Sequence, residues 1–204
     1  MLNVSAITEE LAQNITDWHR GIVIAEPDPP FNFIQENNYW NYQLWHEEDI
    51  ARRSDIEASR MVIAKRNIDH YNQERNNAME KIDEWVENWL RSKPKPTSDK
   101  MHSETPGMMI DRLSIMSLKK YHMYEEAVRQ GATDEHQQKC GEMVSLLAIQ
   151  IQDLSKCLTD VLIQLEKGAL QFRVYRQLKM YNDPMLNPQL YDATNNTPQA
   201  QVKK

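Results

Sequence analysis

Eleven positions in the C-terminal half of the chain alternate steps of 4 and 3: Cys140, Val144, Leu147, Ile151, Leu154, Leu158, Val161, Leu165, Gly168, Phe172 and Tyr175. At 3.6 residues per turn such a row stays on one side of an α-helix, and an apolar row sustained this long demands a helical partner. A sheet cannot use it, because strand side chains alternate faces with a period of two. The spacing predicts one continuous helix from a cap at Thr133 to about Tyr181, with Gly168 on its seam allowing a second helix to approach closely. Cys140 and Cys157 both fall on it, roughly 25 Å apart at about 1.5 Å per residue. A disulfide needs Cα atoms within about 7 Å, so both are expected as reduced, packed thiols.

The rest of the chain is also helical in pattern. Thr8 followed by Glu9 and Glu10 is a helix start, and a first short helix is expected over 8–20. Gly21, Pro27, Pro29 and Pro30 then make a connection over 21–36, anchored by Phe31, Phe33 and Ile34. Asn37 or Asn38 can cap a second helix running to about Arg91, with a bend near Arg53–Ser54–Asp55. Residues 92–105 hold two prolines among small polar residues and read as a mobile linker. Thr105–Pro106 opens a third helix extending to about Gln130, with Gly131 at its C′ position. The expected fold is all-α: an elongated antiparallel helical bundle with two long helices and two shorter ones. It occupies 1–182 as a single domain, and a polar tail, 183–204, is expected to be disordered.

The second expected helix carries a polar row: Lys65, Asp69, Asn72, Asn76, Glu80 and Asp83 step by 4, 3, 4, 4 and 3. These fall within about 80° of one helix face. Two readings stand. A solvated face stitched by pairs such as Lys65–Asp69 needs no function. A face turned inward can hold a ligand, with Asp69, Glu80 and Asp83 as candidate Mg²⁺ ligands and Lys65 and Arg66 on phosphates. Asn72, Gln73 and Asn76 would then orient the ligand. Asparagine is a poor helix former, so the amides weigh against ordinary surface. Arg75 sits on the neighbouring apolar line, where a guanidinium needs an answering charge. Asp111, Asp153 and Asp160 are the candidate partners, and snorkelling along a groove is the alternative.

Trp45-His46-Glu47-Glu48-Asp49 places His46 and Asp49 one turn apart, as a metal pair or as a histidine oriented by a carboxylate. No second histidine follows at the spacing of a zinc-protease helix, and none has Glu three positions before it, as di-iron bundles require. Asp111 and Ser114 share a face of the third helix. No nucleophile-elbow glycines flank Ser114, so Asp111 is read as a structural hydrogen bonder. Arg176 and Lys179 read as neutralising the end of the last helix, or as a basic rim for a phosphate or a partner.

A net charge of −6 argues against general nucleic-acid or anionic-membrane binding. The first residues, MLNVSAITEELAQN, carry acids where a signal peptide carries bases, and no apolar run approaches the ~20 residues of a membrane span. A cytoplasmic protein is expected. There is no phosphate-binding loop and no dinucleotide-binding glycine motif.

The strings LWHEEDIARR (44–53), AKRNIDHYNQERNNAMEKID (64–83), IDRLSI (110–115) and FRVYRQLKMYNDPMLNP (172–188) resemble a bacterial family catalogued as domain of unknown function 4254. The likeness spans nearly the whole chain. It implies an all-helical cytoplasmic protein, sometimes encoded beside glycosyltransferases of surface-polysaccharide synthesis, and carries over no catalytic residue. The family pattern implies Asp after Arg75-Asn76. Here Asn77 stands instead, which removes one possible metal carboxylate.

Three functions are compatible with these observations. The first is a ligand- or partner-binding module, its site formed by the 65–83 row with Arg75, His46, Asp49 and Asp111, and its ligand phosphate-bearing or a sugar nucleotide. The second is a Mg²⁺-dependent hydrolase or pyrophosphatase acting on a nucleotide or nucleotide-sugar. The third is a structural oligomer, a homodimer joined through helix seams.

Overall fold

The computed structural model describes residues 2–178 and 185–188. They form five helices: α1 (Val4–His19), α2 (Phe31–Ala51), α3 (Ala58–Leu90), α4 (Pro106–Ala127) and α5 (Asp134–Glu166). The class is the all-α bundle expected, and α3 and α5, 33 residues each, are its two long helices. The bend expected near 53–55 is a full break between α2 and α3, closed by a two-bond Arg53–Asp55 pair (3.0 and 2.8 Å).

Local chemistry accounts for most helix ends. Thr105 Oγ1 accepts from Met108 N and Thr133 Oγ1 from His136 N, both at 3.2 Å, so α4 and α5 start where their caps predict. The first helix starts earlier than expected: Asn3 is its cap, accepting from Ala6 N. Thr8 lies inside the helix, its hydroxyl donating to Ser5 O (2.8 Å) and Val4 O (3.2 Å). The second begins at Phe31, and Asn37 and Asn38 are fully buried within it. The helix expected third, α4, ends at Ala127, so Gly131 (φ 83°) serves the turn into α5 rather than the C′ position.

The last helix stops at Glu166, well short of the expected Tyr181. Gly168 takes φ 70°; its N–H donates to Leu165 O and that of Ala169 to Gln164 O, a six-residue wrap that ends helices. The chain then runs beside 97–102. Thr97 N donates to Gly168 O (2.9 Å), Gln171 N to Lys100 O (2.8 Å) and His102 N to Gln171 O (2.8 Å). Gly168, Phe172 and Tyr175 are therefore off the helical seam, despite keeping its spacing. A Cβ on Gly168 would stand 2.9 Å from Lys95 O, so the glycine serves this backbone approach rather than helix–helix contact. Both cysteines are free; Cys140 is buried, but Cys157 is exposed, not packed. Of the expected tail, 183–204, only 185–188 are among the described residues.

The pairs Glu47–Arg60, Trp40–Tyr71 and Glu36–Lys81 show α2 and α3 running antiparallel. The helices α4 and α5 form a second hairpin, and α1 packs against α2 and α4. One core draws on all five helices, including Ile7, Leu11, Ile34, Ile82, Val86, Ile110, Leu113, Leu158 and Leu162. No helix among the described residues is long and apolar enough to cross a membrane.

Candidate functional site

Asparagines line the face of α2 that looks onto α4. Asn37, Asn38 and Asn41 are at most 4% exposed, and each must find partners inside the bundle. Asp111 and Ser114, one turn apart on α4, supply them. Asp111 Oδ1 accepts from Asn41 Nδ2 (2.8 Å) and Asn37 Nδ2 (3.0 Å). Ser114 Oγ accepts from Asn41 Nδ2 (3.1 Å) and donates to Asn38 Oδ1 (2.9 Å), and Asn38 Nδ2 donates to Leu11 O on α1 (3.0 Å).

Arg75 reaches this network from α3. Its Nε is 3.8 Å from Asp111 Oδ1, so Asp111 is its charge partner among the three candidates. That Nε is buried and has no hydrogen-bond partner. Next to it lies a cavity of about 530 Å³ walled by α2, α3 and α4, with Asn41, Trp45, Asp49, Asn72, Arg75 and Lys119 in its lining. Glu48 and Asp49 at the rim are answered by Arg52 at 3.3 and 3.4 Å.

The polar row divides along α3. Lys65, Arg66 and Asp69 are exposed, and Lys65 pairs with Asp69. Asn72 lines the cavity and donates to Ile68 O (3.0 Å); Gln73 and Asn76 are half-buried. Glu80 turns to the C-terminal segment, accepting from Gln177 N (2.7 Å) and pairing with Arg176 (3.2 Å). Arg176 is thus a partner of Glu80 and Glu84 rather than a cap on a helix end; Lys179 lies outside the described residues. Asp83 is buried at the start of α4, accepting from Gly107 N (2.7 Å). Burial raises its pKa to about 6, against the lowering effect of the Thr105 hydroxyl and the Gly107 N–H. Asp69, Glu80 and Asp83 therefore have different partners: Lys65, the C-terminal segment and the start of α4. The cavity gathers Asn72, Arg75 and Asp49, with Asp111 behind Arg75.

His46 belongs to a different cluster. His19 (α1), His46 (α2) and His122 (α4) meet with ring centroids 5.0–5.6 Å apart. Trp45 stacks on His122 at 4.7 Å and also lines the Arg75 cavity, so the two places adjoin. Burial pulls His46 and His122 below the ordinary imidazole pKa. Neighbouring histidines push the same way and Asp49 and Glu125 oppose.

Sequence reasoning missed Asn41, Trp45, Lys119, His19 and His122. The i, i+4 pair Asn37/Asn41 facing Asp111/Ser114 is a signal that periodicity can find. The histidines come from three elements and no local spacing links them.

A family model described as "Protein of unknown function (DUF4254)" matches residues 31–174, from the first residue of α2 to beyond the end of α5. The chain belongs to this family. Neither the curated proteins nor the solved structures contain a match. The family segment contains Arg75, Asp111, their asparagine and serine partners and the cavity, whereas α1, with His19 and the Leu11 O that meets Asn38, lies before it.

Proposed function

We propose that this protein is a binding module for a small anionic ligand, phosphate-bearing and carrying a ring, held in the cavity between α2, α3 and α4. One observation carries the reading: a permanently charged guanidinium, Arg75, lines the cavity with its Nε buried, unbonded and only loosely met by Asp111. A buried N–H with no acceptor is costly, and a phosphate oxygen relieves it. Lys119 adds a second cation at the rim and Trp45 an apolar wall for a ring. The neighbouring Asn41 and Asn72 offer orienting amides.

The family resemblance adds a setting, surface-polysaccharide synthesis, which makes nucleotide sugars the first ligands to try. A cytoplasmic location belongs to the same proposal. A Mg²⁺-dependent hydrolase finds less support, because Asp69, Glu80 and Asp83 have different partners and Arg52 engages Glu48 and Asp49. The oligomer reading has Met143, Leu146 and Ile149 exposed on α5, but these lie off the 4–3 seam.

Calorimetric titration with a uridine-diphosphate hexose and a hexose 1-phosphate, with and without Mg²⁺, tests the proposal. We expect binding that Arg75→Gln weakens by about tenfold or more, the loss of one charged hydrogen bond. Affinity equal in Arg75→Gln and the unmodified chain would remove the cavity from consideration. Phosphate release with Mg²⁺ would move the protein to the hydrolase class.

A further inference from the structure

Three half-buried imidazoles from three helices meet where α1, α2 and α4 pack together. One ring nitrogen from each of His19, His46 and His122 lies within 4.8 Å of the other two. The Nε2 atoms of all three are buried, and none has a hydrogen-bond partner. Their other nitrogens explain what those atoms carry. His19 Nδ1 is 2.7 Å from Ile15 O, and a carbonyl can only accept, so Nδ1 holds the proton. His122 Nδ1 is 2.9 Å from a Glu125 carboxylate oxygen, which selects the same tautomer. In the neutral rings, the Nε2 atoms of His19 and His122 are then bare lone pairs, shielded from solvent although the residues themselves are half-buried. Two acceptors so placed call for an electron-pair acceptor between them.

We propose that His19, His46 and His122 form a binding site for a divalent transition-metal ion of the zinc class, liganded through the three Nε2 atoms. Imidazole suits zinc and its neighbours rather than Mg²⁺ or Ca²⁺. Three histidines with a fourth position left for water or a ligand atom is an established zinc arrangement. Nitrogens bound at about 2.0–2.1 Å stand about 3.3 Å apart in a tetrahedral shell, so the rings draw inward on the ion. The supports around the rings match what metal-bound histidines require. Ile15 O and Glu125 fix the Nδ1–H groups. Tyr121 stacks on His19 at 4.2 Å and Trp45 on His122 at 4.7 Å, holding both planes. The ion would join α1, outside the matched family segment, to α2 and α4 within it. This site is independent of the Arg75 cavity, and neither proposal needs the other.

The test uses the full chain, freed of metal by a chelator and titrated with Co²⁺ and then Zn²⁺. We expect one ion per chain, visible d–d absorption from a four- or five-coordinate Co²⁺ centre, its loss on adding Zn²⁺, and a raised Tm with Zn²⁺. Glu125→Gln should weaken Zn²⁺ by about 10–100-fold, and His46→Gln should abolish stoichiometric binding. X-ray absorption of the zinc-loaded natural chain should show three imidazoles, and that readout needs no variant to fold. The proposal is overturned if the natural chain binds no ion stoichiometrically, or if folded His46→Gln binds as tightly as the natural chain. Sulfur in the zinc shell would equally overturn it, placing the ion at Cys140 beside His136, 3.5 Å apart.

Discussion

Asn41 shows how much one buried amide can hold. Its NH₂ group serves Asp111 and Ser114 together, from a position 4% exposed. Asn41→Ala leaves both acceptors short inside the bundle and should destabilise the protein by about 1–3 kcal/mol, read from urea unfolding. Asn41→Asp should be worse, because it sets a second carboxylate against Asp111. Asp83 makes a different prediction, about pH. Its pKa is raised from 3.8 to about 6, so the folded state holds its proton where the unfolded state has released it. That contribution to stability is complete below about pH 4 and is lost as pH rises through about 6. It amounts to about 3 kcal/mol, at about 1.4 kcal/mol for each tenfold change in proton affinity. Stability of the natural chain minus that of Asp83→Asn, measured by urea unfolding, should fall by this order between about pH 4 and pH 7.5. A flat difference would mean the carboxylate is as well solvated when folded as when unfolded.

At the scale of elements, two glycines on helices make opposite predictions from the same substitution. A Cβ on Gly107 would stand 2.6 Å from Met79 O and 2.9 Å from Asp83 Oδ1, so Gly107→Ala must push α4 off α3 just where Asp83 meets Gly107 N. We expect a loss of about 1–3 kcal/mol, as for other overpacked positions. Gly141, inside α5, has nothing within 4 Å of an added Cβ. Gly141→Ala should therefore raise stability by about 0.5–1 kcal/mol through helix propensity alone. Thermal unfolding of the two variants beside the natural chain reads both signs. Elements also mark the limit of what sequence made legible. The Thr105 and Thr133 caps and the seam from Cys140 to Leu165 were readable, because cap and period are local. The end of α5 was not, since the 4–3 spacing runs on past Gly168 and only its pairing with 95–97 reveals the turn. Asn37 and Asn38 read as caps because their partners lie on other helices, those on α4 more than seventy residues away. The row from Lys65 to Asp83 shares a direction on α3, but periodicity cannot say that solvent, the cavity and the start of α4 meet it in turn.

Over the whole molecule, the core extends beyond the segment that defines the family. The matched segment begins at Phe31, yet the core includes Leu2, Val4, Ile7 and Leu11, and Ile15 is also fully buried. Each such side chain contributes about 1.5–3 kcal/mol when buried. Five of them reach the order of 10 kcal/mol, about the whole net stability of an ordinary domain. The first helix also supplies Leu11 O, which accepts from the buried Asn38 amide. Removing it uncovers the faces of α2 and α4 that it packs against and unpairs part of the Asn–Asp111–Ser114 network at once. The chain from residue 31 onward, made without α1, should therefore lose cooperative unfolding, with helical circular dichroism partly retained and near-ultraviolet signal lost. Added back as a peptide, residues 1–30 should restore the sharp transition if α1 acts by packing. A truncated chain that unfolds as sharply and at the same urea concentration as the full one would mean that α1 only decorates a self-sufficient four-helix body. His19, arriving with α1, makes the same experiment informative in the presence of Zn²⁺: an ion bridging α1 to α2 and α4 should tighten the peptide's hold, and an ion bound elsewhere should leave it unchanged.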